Sequence, residues 1–74
     1  MAGEPSDPGA VWNLIKRADD LLKYGANRDP AVARAQAREV LGRAVRAADQ
    51  LSDRRAGDTL ASQARTRLAD LEET

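Results

Sequence analysis

Two Asp-Pro pairs divide this sequence into segments of helical length. In Asp7-Pro8 and Asp29-Pro30 the aspartate can cap the first free amides of a helix. The proline, whose φ is already close to the helical value, suits the first helical position. Gly25, with the short connector after it, is typical of a left-handed helix stop. The pattern predicts a first helix over residues 8–25 and a second that begins at residue 30.

The second helix is expected to be the long one. Gly42 is the only glycine between Pro30 and Gly57, and no second proline interrupts this stretch. This predicts a helix over residues 30–51, followed by a turn at Ser52 and Asp53. Either Asp53 or Asp58 could cap the third helix. Asp53 is favoured, which places that helix over residues 54–73.

The apolar residues of each segment fall on one side of a helix when every residue is advanced by about 100°. They are Val11, Leu14, Ile15, Ala18, Leu21 and Leu22 in the first segment, Ala33, Ala37, Val40, Leu41, Ala44, Ala47, Ala48 and Leu51 in the second, and Leu60, Ala61, Ala64, Leu68 and Leu71 in the third. Short connections favour antiparallel neighbours. We therefore predict an all-α fold, an antiparallel three-helix bundle, with a flexible N-terminal tail over residues 1–7 and a single domain over residues 8–74.

The core of this bundle should be thin. The chain has 74 residues, with fifteen alanines and eight leucines but no phenylalanine. A domain of this size hides only about 60% of the surface that its unfolded chain exposes. Alanine compensates in part, because it is the best helix former and lets helix backbones approach closely.

The charges give no sign of a charged partner. Twelve basic residues balance twelve acidic ones, so no net field attracts nucleic acid or an anionic membrane, and both are disfavoured as partners. Opposite charges four residues apart predict ion pairs along solvated helix faces. These pairs are Lys16 with Asp20, Asp19 with Lys23, Glu39 with Arg43, and Arg54 with Asp58.

Several function classes are disfavoured by what the sequence lacks. It has no cysteine and no histidine, no glycine-rich phosphate loop and no spaced carboxylate cluster. These are the usual parts of catalytic and metal sites. We therefore predict no catalytic residue, no metal ligand, no cofactor and no enzyme activity. The first residues do not have the pattern of a signal peptide, and the apolar runs are far shorter than the roughly 20 residues of a membrane span. A cytoplasmic location is expected.

The middle of the chain resembles a known family. Leu21, Tyr24, Gly25, Ala37, Leu41 and Ala44 have the spacing of the small and bulky signature positions of a tetratricopeptide repeat. In size, and in its long middle helix, the chain is similar to a free-standing three-helix relative, the microtubule-interacting-and-transport (MIT) type of domain. This resemblance implies that a partner helix or short peptide lies in a groove between two of the three helices.

Four residues are candidates for partner binding. Trp12 lies at the edge of the apolar side of the first helix, where it could either cover the bundle edge, against the N-terminal tail or the third helix, or anchor a partner. Tyr24 lies at the other edge, near the helix end. Arg38 and Arg46 lie on the outer face of the second helix around Gly42, where a partner backbone could approach closely. The alternative for both arginines is a solvated face.

The sequence thus favours a non-catalytic protein–protein interaction module that presents an inter-helix groove to a helix or peptide of another protein. The alternative is a self-associating structural protein, a homodimer or larger homo-oligomer. This alternative follows from the thin, alanine-rich core, which leaves apolar edge surface that a dimer would bury.

Overall fold

A computed structural model describes residues 7–25 and 28–73 of the chain. It contains three α-helices, α1 (Pro8–Gly25), α2 (Pro30–Asp49) and α3 (Arg54–Glu73), and no strand within the described residues. The predicted all-α three-helix bundle is confirmed. So are the bounds of α1 and the choice of Asp53 over Asp58 as the residue before α3. The predicted tail lies outside the described residues, apart from Asp7.

Each helix begins with an aspartate whose carboxylate accepts a hydrogen bond from the backbone amide three residues later. The donors are the amides of Ala10 (2.9 Å, to Asp7), Val32 (3.3 Å, to Asp29) and Ala56 (3.1 Å, to Asp53). The first four amides of a helix have no partner inside it, so each carboxylate satisfies one of them. The same local chemistry therefore sets the start of all three helices.

Asp53 gives the clearest test of this capping, because no proline follows it to favour the helical start. We expect Asp53→Ala to lower the free energy of unfolding by about 1 kcal/mol, since the amide of Ala56 loses its acceptor. Urea unfolding followed by circular dichroism at 222 nm measures the change. Asp53→Asn is the control, because it keeps a side-chain oxygen at the same place. An equal loss in both variants would show that the hydrogen bond is not the cause.

The end of α2 differs from the prediction. The helix was expected to continue to residue 51, but it ends at Asp49. The amides of Gln50 and Leu51 bond to the carbonyls of Ala47 and Ala48, three residues back, at 3.1 and 3.2 Å, which tightens the chain into a turn. Leu51 is nevertheless buried. It continues the apolar side of α2 after the backbone has left the helix, and for this reason the periodicity included it.

Gly25 ends α1, as expected, but not through the left-handed conformation predicted for it. No glycine among the described residues has a positive φ. The carbonyl of Gly25 accepts hydrogen bonds from the amides of Arg28 (3.0 Å) and Asp29 (3.1 Å), so the last carbonyl of α1 is satisfied although Gly25 itself is not left-handed. The value of glycine at this position lies in packing. A Cβ added here would be 2.5 Å from the Cβ of Ala33 on α2.

The core lies along α2, which packs against both other helices, whereas α1 and α3 touch each other over a shorter stretch. Its members come from the apolar sides predicted for the three helices. The buried ones are Val11, Ile15, Ala18, Ala37, Leu41, Ala44, Ala47, Ala48, Leu51, Ala61, Ala64 and Leu71. The largest fully buried side chains are Ile15, Leu41 and Val11. Across residues 7–25 and 28–73, no helix combines the length and apolarity that crossing a membrane requires.

Candidate interaction surfaces

A groove of about 510 Å³ lies between the C-terminal half of α1 and the N-terminal half of α2. Leu21 and Tyr24 line it from α1, and Val32 lines it from α2. Leu21 is half-buried, whereas Tyr24 is 66% exposed and Val32 is 48% exposed. These two side chains are among the few large apolar groups that the described residues leave open to solvent. We call this cavity the α1–α2 groove.

The groove exists because the two helices meet closely at their shared end. Gly25 and Ala33 line its base, at the point where a Cβ added to residue 25 would not fit. Tyr24 is in the last turn of α1, and Val32 is in the first turn of α2. The close approach therefore brings Tyr24 and Val32 to the same cavity, although they are eight positions apart in the sequence.

The groove continues along the hairpin. A second cavity of about 210 Å³ shares Arg17, Leu21 and Gln36 with it and adds Glu39 and Val40 of α2. From Arg17 to Tyr24 the strip is about 10 Å long, at 1.5 Å per helical residue. An apolar floor is thus bordered on both sides by polar and charged side chains.

The border of the groove carries both signs of charge. Arg17 and Asp20 stand on α1, one turn apart, and Glu39 stands on α2. Arg28 and Asp29 close the end near the connector. The groove therefore favours neither a strongly basic nor a strongly acidic ligand.

Trp12 lies on a different side of the bundle, where α1 faces α3. The guanidinium of Arg67 lies over its ring, 5.9 Å from the centroid. Arg67 Nε also donates to Asp19 Oδ1 at 2.9 Å, and Nη1 donates to Gln63 Oε1 at 2.9 Å. The Arg67 side chain is only 25% exposed. It therefore joins α1 to α3 where the two helices have little other contact, and Trp12, 39% exposed, lies on that side of the bundle.

Arg67 should matter more for stability than other surface arginines. We expect Arg67→Ala to lower the free energy of unfolding by about 1 kcal/mol, through loss of the ring contact and of the partly shielded ion pair. The emission of Trp12, the only tryptophan, should move to longer wavelength as its ring becomes more hydrated.

Arg65→Ala is the matched control for this prediction. Arg65 Nη2 is 3.9 Å from Asp49 Oδ2, and both side chains are well exposed, so its removal should change stability by about 0.3 kcal/mol or less. Urea titrations read by Trp12 fluorescence compare the two variants. Equal effects of both substitutions would contradict a special role for Arg67.

The ion pairs differ from those predicted. Among the described residues, none of the four pairs expected within a helix comes within ion-pair distance. Between described residues, the pairs Asp19 with Arg67 and Asp49 with Arg65 each join different helices. Asp19 turns to the α3 side, where a guanidinium can reach it from the neighbouring helix, and not to Lys23 on its own helix.

The structure does not gather the four predicted partner-binding residues into one site. Tyr24 lines the α1–α2 groove, and Trp12 lies beside a separate cavity of about 520 Å³ between the N-terminal ends of α1 and α3. Arg38 and Arg46 are exposed on α2 and line neither cavity. Arg46 Nη1 lies near Gly42, 3.7 Å from where a Cβ would be.

The sequence did not predict a role for two residues, Val32 and Arg67, that shape these surfaces. Val32 lies off the apolar side of α2, and a solvent-facing valine in a first helical turn was the available signal for it. Arg67 was not singled out, because Trp12 and Asp19, its partners on α1, are distant from it in the sequence. Within the described part of the chain, no three potential ligands among histidine, cysteine and carboxylate side chains group to hold a metal ion.

Comparison with known proteins adds no relative: no family model, curated protein or solved structure matches this chain. The likeness to tetratricopeptide repeats and MIT domains therefore rests on residue spacing and on the three-helix architecture alone.

Proposed function

We propose that this chain is a non-catalytic protein-interaction module whose α1–α2 groove receives a helix of a partner. The observation that carries the proposal is the pair Tyr24 and Val32, both open to solvent and both lining the same groove as the half-buried Leu21. Burying these side chains on binding would remove apolar surface from water, which is the main driving force of association. Tyrosine is also enriched among residues that dominate binding energy.

The shape of the groove favours a helical ligand. Two antiparallel helices form its walls, and its floor is apolar over about two helical turns. An amphipathic helix that presents apolar residues at i, i+3 or i+4, and i+7 would fill such a floor. The mixed charges of the border call for a ligand helix with flanking residues of both signs. The helix-binding groove implied by the tetratricopeptide and MIT resemblance agrees with this proposal.

Site-specific photo-crosslinking tests the proposal. A benzophenone amino acid replaces Tyr24 in one variant and Ser62, exposed on the outer face of α3, in the control. After irradiation in the native host, we expect adducts from position 24 and none from position 62, because only the first lies in the α1–α2 groove. The adducted peptide, identified by mass spectrometry, should be helical and amphipathic.

A benzophenone at position 12 separates this groove from the cavity beside Trp12. The proposal is wrong if position 12 or position 62 crosslinks to the same partner with the same yield as position 24. It is also wrong when position 24 gives no adduct.

A further inference from the structure

We propose that residues 1–6 of this chain fold back over the cavity beside Trp12 and occupy it, so that this cavity is filled from within the molecule. The inference concerns a different surface from the α1–α2 groove and does not depend on the proposed function. It replaces the flexible tail expected from the sequence by a docked segment. Its support comes from the lining of the cavity, the place where the chain enters α1, and the charges on both sides.

The cavity beside Trp12 has a volume of about 520 Å³ and lies between the first turns of α1 and α3. Both helices contribute apolar side chains to its lining, with Pro8 and Trp12 on α1 and Ala56 and Leu60 on α3. The Trp12 side chain keeps 39% of its surface exposed. A segment that covers this lining would therefore remove apolar surface from water, which favours docking.

The chain enters α1 at the rim of this cavity. Asp7 caps α1, and the next two residues, Pro8 and Gly9, line the cavity. Residues 1–6 are outside the described part of the chain and join the molecule at this point. At about 3.3 Å per residue, six residues reach up to about 20 Å, which is enough to cross a cavity of about 520 Å³. Because the segment is tethered at the rim, its effective concentration there is far higher than that of a separate ligand.

The α3 side of the cavity carries an arginine that lacks an acidic partner. Arg55 lines the cavity from the first turn of α3, where the positive end of the helix disfavours a cation. That turn contains no acidic residue, and no described carboxylate lies within ion-pair distance of Arg55. Asp53 also lines the cavity, but its Oδ1 already accepts a hydrogen bond from the amide of Ala56.

Residues 1–6 supply both the missing carboxylate and apolar groups for the lining. Glu4 is their one acidic residue, and the three residue steps from Glu4 to Asp7 span up to about 10 Å. The rest of the segment is uncharged in its side chains and includes Met1 and Pro5. Methionine is flexible, and its sulfur packs favourably against aromatic rings. We therefore expect Glu4 beside Arg55 and apolar side chains of the segment against Trp12.

Photo-crosslinking within one molecule of the full, purified chain is the first test. A benzophenone amino acid replaces Thr59, an exposed residue of α3 that lines the cavity, and should form an adduct to residues 1–6 of the same molecule. Position 62 is the matched control, because Ser62 is also exposed on α3 and does not line this cavity. Proteolysis and mass spectrometry locate the adduct, and the mass of a single chain shows that it is intramolecular.

A charge exchange tests the pairing of Glu4 with Arg55. Glu4→Arg and Arg55→Glu should each lower the ratio of docked to free segment by about fivefold, as expected for one ion pair. Acrylamide should then quench the fluorescence of Trp12, the only tryptophan, more strongly. The double variant Glu4→Arg/Arg55→Glu should return quenching to the level of the unaltered chain. Arg54→Glu is the matched control, because Arg54 is exposed in the same helical turn but does not line the cavity.

Three results would overturn the docking of residues 1–6. They are equal adduct yields from positions 59 and 62, equal effects of Arg54→Glu and Arg55→Glu on the quenching of Trp12, and a double charge variant that does not recover the original quenching. In the native host, an adduct from position 59 to another protein in place of residues 1–6 would also overturn it, since the cavity would then be open to a partner. None of these results affects the proposal for the α1–α2 groove, which is tested from position 24.

Discussion

Replacing Gly57 with alanine is expected to destabilise the protein by about 2 kcal/mol, although alanine is the better helix former. A Cβ at this position would be 2.5 Å from the carbonyl oxygen of Ala48, at the end of α2. That carbonyl cannot easily turn away, because it accepts the hydrogen bond of the Leu51 amide in the turn that leaves α2. The helices α2 and α3 must therefore separate at this contact. For a domain of this size the melting temperature should fall by about 8–16 °C.

Gly42→Ala is the control for this prediction. Gly42 is also inside a helix, but an added Cβ there would meet only the flexible end of Arg46, at 3.7 Å. The substitution should stabilise the protein by up to about 1 kcal/mol, the usual difference between glycine and alanine in a helix. Thermal unfolding followed by circular dichroism measures both variants. A Gly57→Ala variant as stable as the unaltered chain would show that α3 does not depend on this close approach.

Gly25→Ala should cause a loss of similar size, about 2 kcal/mol, and one that a second substitution can recover. The new Cβ would be 2.5 Å from the Cβ of Ala33, but 3.6 Å from its Cα. Adding Ala33→Gly removes the first contact and leaves the second at an ordinary distance. The double variant should therefore be more stable than Gly25→Ala. It should remain about 1 kcal/mol below the unaltered chain, because glycine at position 33 weakens α2.

A double-mutant cycle measured by urea unfolding quantifies this coupling. We expect the interaction free energy between positions 25 and 33 to be favourable and at least about 1 kcal/mol. Simple additivity of the two single effects would mean that α1 and α2 do not meet at this pair. It would also remove the geometric basis of the α1–α2 groove, since Gly25 and Ala33 form its base.

The helix starts were predictable because their cause is local. Asp7, Asp29 and Asp53 each accept a hydrogen bond from the amide three residues later. This interaction depends only on neighbouring residues and not on the rest of the fold. The buried side of each helix was also predictable, because the spacing of apolar residues within one segment determines which side of its helix is apolar. The end of α2 was misplaced by two residues, because Leu51 is buried whether or not its backbone is helical.

The roles of the glycines could not be predicted, because they depend on which helices touch. An added Cβ would lie 2.5 Å from an atom of α2 at Gly25 and at Gly57, but 3.7 Å from the flexible end of an arginine at Gly42. The neighbouring sequence does not show which of the three glycines lies against another helix. A left-handed conformation is the commonest reason for glycine at a helix end, and Gly25 was predicted on that basis. The structure gives a different reason, which is the close packing of Gly25 against Ala33 of α2.

The sequence predicted which edge of α1 carries Trp12 and which carries Tyr24, but not which residues of the other helices lie beside them. Helix angles placed Trp12 and Tyr24 at opposite edges of α1, and both side chains are exposed in the structure. Angles alone do not say which helix lies beside each edge. The contact of Trp12 with Arg67, and the meeting of Tyr24 with Val32, depend on the packing of α3 and α2 on the two sides of α1.

The central place of α2 has a consequence for how the molecule opens. Because α1 and α3 touch each other over only a short stretch, either outer helix can detach while the other stays packed on α2. Amide hydrogens of α2 should therefore exchange with deuterium most slowly, since only complete unfolding frees them. Amide hydrogens of α1 and α3 should exchange through the detachment of one outer helix, and each detachment has its own free energy. The α1–α2 pair and the α2–α3 pair then behave as partly independent cooperative units that share α2.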